Sequence, residues 1–199
     1  AREWQGGNSR WDLIDVVRAA YALRPDGIVW PIDEEGRVTL KLERLTAANG
    51  IDHGNAHEAL SDVRATIALA RLIREKQPKL YDWLFNLRSK QKVLDQIRLL
   101  QPMVHVSGRF SATRNYVGVV LPLAWHPRNK NALIVCDLQL DPQGLLDLDA
   151  ETLRQRLYTR REDLAEGELP VPLKLIHINK CPVVAPMSVL RPEDQQRLG

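Results

Sequence analysis

The residues in this sequence best suited to take part in a reaction are a histidine and an aspartate five positions apart, His57 and Asp62. They stand at the head of the segment "NAHEALSDVRATIALARL", residues 55–72, whose apolar spacing predicts an amphipathic helix. An aspartate carboxylate can bind a divalent metal ion, and a nearby imidazole can take a proton from a metal-bound water. Together the two residue types would suit metal-assisted hydrolysis.

Spacing alone does not bring these two side chains together. On a continuous helix, five residues correspond to a rotation of about 140°, so His57 and Asp62 would point to different faces. They converge only if His57 lies in the preceding loop, for which Gly54 and Asn55 are suitable turn formers. The alternative makes His57 a surface loop residue and Asp62 a favourable negative charge near a helix N-terminus. Taken by themselves, the two residues favour this alternative.

Other acidic residues are weaker candidates for a metal site. The Asp-Glu-Glu run at residues 33–35 has the D-x-E spacing, but it lies in a predicted hairpin turn. The Asp-Ala-Glu run at residues 149–151 stands at a predicted helix start, where capping explains it. Asp12 and Asp15, on the first predicted helix, are better explained as capping or solvent-facing residues.

The elements that must position these residues follow from the apolar pattern. Helical spacing predicts a helix over residues 11–23, a short helix in "LERLTAANG" closed by Gly50, and a helix of about 20 residues ending at "KQP". Two short extended runs around the turn "DEEG" separate the first two helices. In the long helix, the stripe expected to face the core is Leu60, Val63, Ile67, Ala70 and Ile73.

The character of the sequence changes near residue 77, where we place a domain boundary. "KLYDWLFNLRSKQKVLDQIRLL" predicts one further helix with a basic polar face. Residues 103–184 then read mainly as short strands, interrupted by a helix capped by Asp149. The strand-like runs are "MVHVSGRF", "YVGVVLPLAW", "ALIVCDLQL" and "PLKLIHINKCPVV". Short strands with Gly, Pro and Asn punctuation favour a small barrel over a βαβ sheet.

Composition is that of a globular protein: 44% of the 199 residues are hydrophobic and 27% are charged. The net charge of +3 permits a nucleic-acid partner without requiring one. No apolar run reaches the roughly 20 residues of a membrane span, and Cys136 and Cys181 read as free thiols of a reducing compartment. We therefore expect a cytoplasmic protein without a membrane partner. The first and last residues suggest a fragment of a longer chain.

The segment "HEALSD", followed by an alanine-rich helix, resembles the third motif of the DEDDh 3′→5′ exonucleases, which have an RNase H-like fold. The H-x4-D element is not specific by itself, but further matches extend the resemblance over essentially the whole chain to the bacterial exodeoxyribonuclease I family. These matches are "NSRWDLIDVVRAAYALRPDGIVWP", "LTAANGI", "VHVSGRF", "PLAWHP", "HINKCPV" and "LRPED".

The resemblance implies an α/β fold class in two parts. Residues 1–77 would be the C-terminal part of an RNase H-like exonuclease domain, mainly helical here. Residues 78–199 would be an SH3-like β-barrel domain with helical insertions, cut short at its C-terminal end. A helical domain that follows in the family would lie outside the sequence.

The resemblance also implies a Mg²⁺-dependent hydrolysis of single-stranded DNA from the 3′ end, releasing 5′-mononucleotides in DNA repair or recombination. Asp62 would be a catalytic metal ligand and His57 the general base. Two metal ions held by several carboxylates stabilise the attacking and leaving oxygens in such sites. We expect the family's D-x-E motif and a further aspartate upstream of this sequence.

Matching positions in the family imply a path for the DNA. The residues concerned carry phosphate-binding side chains and are Arg18, Lys41, Lys90, Asn131, Lys174 and Asn179. The family often has arginine where Lys41 stands, which would weaken a bidentate grip. The alternative interpretation of all six residues is that their side chains face water and bind no DNA.

A protein partner is implied as well. The family docks the acidic, aromatic-ended C-terminal tail of single-stranded-DNA-binding protein, and Arg24, Trp83 and Arg191 match or adjoin that surface. Trp83 could equally belong to the core of its helix. We expect a monomer. The alternative function of this chain is that of a non-catalytic module that binds single-stranded DNA or the protein tail.

Overall fold

The structure is a computed structural model that describes residues 9–51, 59–143, 148–159, 163 and 171–198. His57, the predicted general base, lies outside the described residues. The helices described are α1 (Leu13–Leu23), α2 (Leu42–Ala48), α3 (Ala59–Lys76), α4 (Pro78–Asn86), α5 (Lys90–Gln96), α6 (Ala150–Tyr158) and α7 (Pro192–Leu198). The strands described are β1 (Met103–Val106), β2 (Val117–Trp125), β3 (Ala132–Asp137), β4 (Leu173–His177) and β5 (Val183–Pro186).

The first helix begins near the predicted position, and its two acidic residues interact with groups of the same helix. The Asp12 side chain accepts a hydrogen bond from the backbone N–H of Ile14 at 3.1 Å and so caps α1. Asp15 pairs with Arg18 one turn later, at 2.9 Å. Asp12 is therefore confirmed as a capping residue, and Asp15 is held in an ion pair.

The two D-x-E runs are likewise accounted for by local structure. Asp33 accepts from the backbone N–H groups of Glu35 and Arg37, and the bond from Arg37 lowers the pKa of Asp33. The predicted pair of extended runs reduces to one isolated bridge, between Ile32 and Val38. Asp149 caps α6 by accepting from the Thr152 N–H at 2.8 Å, as predicted.

The predicted inward face of α3 is wrong for most of its length. Leu60, Val63 and Ile67 are 62%, 54% and 47% exposed, whereas Ala65 and Leu69 are buried. Of the predicted stripe, Ile73 is fully buried. At about 100° per residue, positions 65 and 69 lie opposite positions 60, 63 and 67. The helix is rich enough in alanine and leucine to carry two apolar stripes, and the structure buries the second.

The single helix predicted for residues 79–100 is also wrong, because the structure contains two. α4 ends at Asn86, and α5 begins at Lys90 after a turn in which the Ser89 N–H donates to the Asn86 carbonyl at 3.0 Å. Leu87 and Val93 are both buried. Six residues apart on one continuous helix, they would point about 120° apart, so the break lets both reach the core.

The strands form one antiparallel sheet in the order β4-β3-β2-β1-β5. This confirms an antiparallel architecture over a βαβ arrangement. The run "PLKLIHINKCPVV" supplies two strands, β4 and β5, with Cys181 between them at a φ of 48°. A register shift between Pro122 and Ala124 bends β2 against β3.

Buried side chains on both sides of residue 77 belong to one continuous core. Leu23 of α1 and Ile73 of α3 lie in the same cluster as Leu84 of α4 and Val184 of β5. The boundary near residue 77 thus falls between two helices whose apolar faces share one core, and the division into 1–77 and 78–199 stays a prediction. Among the described residues, no helix is both long and apolar enough to cross a membrane.

Candidate nucleic-acid interface

Asp62 projects from the first turn of α3 and is partly exposed. Its backbone carbonyl accepts a hydrogen bond from the Thr66 hydroxyl at 2.7 Å. Thr66 and Leu69 line a cavity of about 510 Å³ that also touches Trp11 at the start of α1. Asp62 therefore stands one helical turn from a cleft between α1 and α3. Within the described ranges, no group of three or more His, Cys, Asp or Glu residues could hold a metal ion.

Arg18 lies where α1 crosses the loop between β1 and β2. Its guanidinium packs over Gly108, where a Cβ atom would lie 2.7 Å from the Arg18 Cζ, and it lies 5.6 Å from the Tyr116 ring centroid. Asp15 holds one of its terminal nitrogens. The Arg18 charge is thus fixed beside this loop rather than extended into water.

Lys174 is held on the face of the sheet by a histidine that the sequence analysis did not single out. The Lys174 Nζ lies 2.6 Å from the Nε2 of His105, a buried residue of β1. The same ammonium lies 5.4 Å from the centroid of the Phe110 ring. Burial, and then the nearby charge of Arg109, lower the pKa of Lys174 to about 8.

Phe110 reaches this face because Gly118 has no side chain. His105 and Gly118 are directly paired on β1 and β2, and a Cβ on Gly118 would lie 2.7 Å from the Phe110 Cζ. Arg114 covers the ring at 4.7 Å and binds Asp137 of β3 through two hydrogen bonds of 2.6 and 2.9 Å. The loop between β1 and β2 is therefore fixed on the sheet by aromatic and ionic contacts.

Arg109 is the second residue of this region that sequence reasoning missed. It is exposed, follows Gly108 directly, and lies close enough to Lys174 for its charge to affect that lysine. The signal was present in "VHVSGRF", where a basic residue follows a glycine between two strands. We call Arg18, Arg109 and Lys174 the cation cluster, which joins a helix, a loop and a strand far apart in sequence.

A second group of predicted DNA contacts meets at the start of α5. The Lys90 Nζ donates to the Asn131 Oδ1 at 2.7 Å. The Asn131 carbonyl accepts from the Ile178 N–H at 2.9 Å, and the next residue is the exposed Asn179. The structure thus brings Lys90, Asn131 and Asn179 together. Lys41 is exposed at the start of α2, and in the described part of the chain no hydrogen bond links it to these three residues.

Arg24 and Arg191 meet at the junction of α1 and α7. Arg24 donates to the carbonyl oxygens of Leu23 and Val189 and lies 3.5 Å from the Asp194 carboxylate. Arg191 pairs with Asp26 at 3.2 Å. Burial and the adjacent charge of Arg191 lower the pKa of Arg24. Two guanidinium groups therefore share a small region with a buried acid.

Trp83, the third residue predicted to bind the protein tail, contacts the sheet. Its indole Nε1–H donates to the Val184 carbonyl of β5 at 3.0 Å, and the side chain is half-buried against the core. This contact supports the interpretation that Trp83 belongs to the core. Its contribution to tail binding stays a prediction.

Comparison with known proteins places these features in context. Residues 88–199 match the family model described as "Exonuclease I SH3-like domain". The chain is 55% identical to exodeoxyribonuclease I of Escherichia coli over its full length, and 54% identical to that of Haemophilus influenzae over 98% of its length. In both cases it spans only 42% of the relative.

Solved structures agree with the sequence matches. E. coli Exonuclease I in complex with a dA16 oligonucleotide superposes with a TM-score of 0.92 at 55% identity, over 98% of this chain and 42% of that one. A zinc-bound E. coli ExoI–ssDNA complex (TM-score 0.91, 54% identity) covers 98% of this chain and 42% of its own. An ExoI/SSB-Ct complex (0.89, 53%) gives the same two coverages. The chain belongs to the bacterial exodeoxyribonuclease I family.

Proposed function

We propose that the whole protein is a Mg²⁺-dependent exonuclease that degrades single-stranded DNA from its 3′ end to 5′-mononucleotides, in DNA repair or recombination. The observation that carries this proposal is the convergence of predicted phosphate ligands. Arg18 packs over Gly108 and Lys174 lies near Phe110, so both are beside the β1–β2 loop, and Lys90 bonds to Asn131, although each pair is distant in sequence. The complexes of related Exonuclease I with oligonucleotides support the same substrate class.

Asp62 would hold a metal ion in this protein. A partly exposed carboxylate at the start of a helix, beside a cleft, is a hard oxygen ligand of the kind that Mg²⁺ prefers. A bound divalent ion would stabilise the charge that develops on the phosphate oxygens. The remaining carboxylates would come from protein outside this sequence, since it spans 42% of its relatives. The zinc-bound relative supports a divalent ion in general.

His57 would take the proton from the attacking water. A neutral imidazole is suited to this step near neutral pH, and a positioned general base typically contributes about 10² to 10⁴ in rate. Its place two residues before α3 would put it beside Asp62 without requiring both on one helical face.

The DNA would run along two groups of side chains. The cation cluster binds one phosphate, and Lys90, Asn131 and Asn179 bind another, with Lys41 as a further contact nearer Asp62. All of these groups recognise the backbone, so binding should be nearly independent of base sequence.

Salt dependence tests this path. Binding of single-stranded oligonucleotides is titrated at several salt concentrations with EDTA present, so that no substrate is cleaved. Lys90→Ala and Lys174→Ala should each lower the salt slope by about 0.7, the value per phosphate contact on single strands. Lys79→Ala, at an exposed lysine of α4, serves as the matched control and should leave the slope unchanged. Unchanged slopes in both lysine variants would contradict the proposed DNA path through Lys90 and Lys174.

A second candidate function is binding of an acidic protein tail. The observation in its favour is that Arg24 and Arg191 lie together at the junction of α1 and α7, and a related ExoI/SSB-Ct complex supports it. An acidic peptide that ends in an aromatic residue should bind the chain, and Arg24→Ala should abolish binding. Arg44→Ala, at an exposed arginine of α2, is the control. Equal binding by both variants would reject this surface.

A further inference from the structure

His105 has a defined tautomer because of its two neighbours. Its Nδ1 lies 2.7 Å from the Val183 carbonyl oxygen, and its Nε2 lies 2.6 Å from the Lys174 Nζ. A carbonyl oxygen can only accept, so the ring proton is on Nδ1. The Nε2 therefore carries a free lone pair and accepts a hydrogen bond from the lysine ammonium.

The ring also stays neutral. Burial, and then the charge of Lys174, lower the pKa of His105 to about 3. Phe110 packs edge-on against the ring at 5.7 Å between centroids, which limits its rotation. His105 is thus a fixed, uncharged hydrogen-bond acceptor for the Lys174 ammonium group.

An ammonium group has three N–H donors, and His105 takes one of them. Phe110 covers one side of the group. We propose that His105 is a positioning residue that orients Lys174 so that its remaining N–H groups are presented to a DNA phosphate. This inference rests on the DNA path proposed above and adds to it a residue that need not touch DNA.

The charges around Lys174 come from several elements. Arg109 of the β1–β2 loop lowers its pKa, whereas Asp15 of α1 and Asp137 of β3 raise it, and burial dominates. Since the pKa is about 8, Lys174 loses its proton in part of the molecules at pH 8.5. A phosphate raises that pKa again, so DNA binding above pH 8 takes up a proton at this site.

Single-stranded DNA binding at pH 7 with EDTA tests the role of His105 in the full 199-residue chain. His105→Phe keeps the ring volume but removes the acceptor, and it should weaken binding roughly tenfold, as should Lys174→Met. The double variant should bind no more weakly than Lys174→Met, because both changes remove one contact. His105→Gln, whose amide oxygen can accept from the lysine, should restore most of the affinity.

The outcomes separate this inference from the function on which it rests. If Lys174→Met weakens binding but His105→Phe does not, the DNA path stands and the positioning role is overturned. If Lys174→Met binds as tightly as the unmodified chain, the path at Lys174 is itself wrong and the inference falls with it.

Two measurements on the unmodified chain remain decisive if His105→Phe does not fold. Ring ¹⁵N shifts should show Nδ1 protonated and Nε2 unprotonated from pH 5 to 9, and the opposite tautomer would overturn the proposal. Calorimetry at pH 8.5 in buffers of different ionisation enthalpy should show proton uptake on DNA binding, absent in Lys174→Met. Equal uptake by the two proteins would also overturn it.

Discussion

Arg18 and Arg114 show how single side chains are oriented around the β1–β2 loop. The Nε of each is buried and has no hydrogen-bond partner among the described residues. Their terminal nitrogens are held by Asp15 and Asp137, and their planes lie against aromatic rings. Ring contacts and ion pairs thus fix both guanidinium groups before any ligand arrives. Charges held in this way lose little conformational freedom when a phosphate binds.

At the same scale, His57 is tested in the whole protein. His57→Ala should leave metal and DNA binding largely intact while lowering turnover by about 10² to 10⁴, because only the proton transfer is lost. Turnover is measured as nucleotide release at saturating DNA, with DNA affinity measured separately in EDTA. A variant that keeps the original kcat would show that another group takes the proton.

Among the elements, the β1–β2 loop depends on one missing side chain. A Cβ at position 118 would lie 2.7 and 2.9 Å from atoms of the Phe110 ring and 3.0 Å from an Arg114 nitrogen. Gly118→Ala should therefore lower the free energy of unfolding by about 1–3 kcal/mol through overpacking. Denaturant unfolding followed by circular dichroism measures this change.

The control for this prediction is Phe110→Leu. If the clash with the ring is the cause, Gly118→Ala combined with Phe110→Leu should cost less than the sum of the two single changes. Strictly additive costs would mean that the loop moves away from the sheet without resisting the added methyl group.

Periodicity located the helices of this chain more reliably than their buried faces. In α3 it fixed the length well, yet the sequence carries apolar residues on two opposite sides. The choice of Leu69 over Val63 for the core depends on α1 and α2, which pack against the helix. No local pattern contains that information. The break between α4 and α5 was missed for a similar reason, because it serves the burial of Leu87 and Val93 together.

For the molecule as a whole, activity should require more than this chain. The isolated 199-residue protein should not release nucleotides from single-stranded DNA in Mg²⁺. Of the metal-binding carboxylates that the family resemblance implies, this sequence supplies Asp62, and two-metal hydrolysis needs several. The assay compares it with the whole protein at equal concentration. Robust release that is lost in Asp62→Ala would show that the chain completes a site by itself.

For the whole molecule, the sequence predicted the strands and the capping aspartates. The resemblance to the exodeoxyribonuclease I family supplied the candidate site residues. The sequence did not predict that Lys174 would be half-buried beside His105, or that Arg109 would follow the glycine that Arg18 covers. Such contacts depend on sheet register, which sets Gly118 opposite His105 and opens the space that Phe110 fills. A sequence read without that register contains the residues but not their pairing.

The hydrogen bond from Trp83 to Val184 has a consequence for solubility. β5 lies at one end of the strand order, and an edge strand offers unpaired backbone groups to any extended chain that approaches it. The indole N–H occupies one carbonyl of that strand, and the bulk of the ring stands beside it. Trp83 therefore obstructs edge-to-edge aggregation, in which the sheet of one molecule would continue into the sheet of the next.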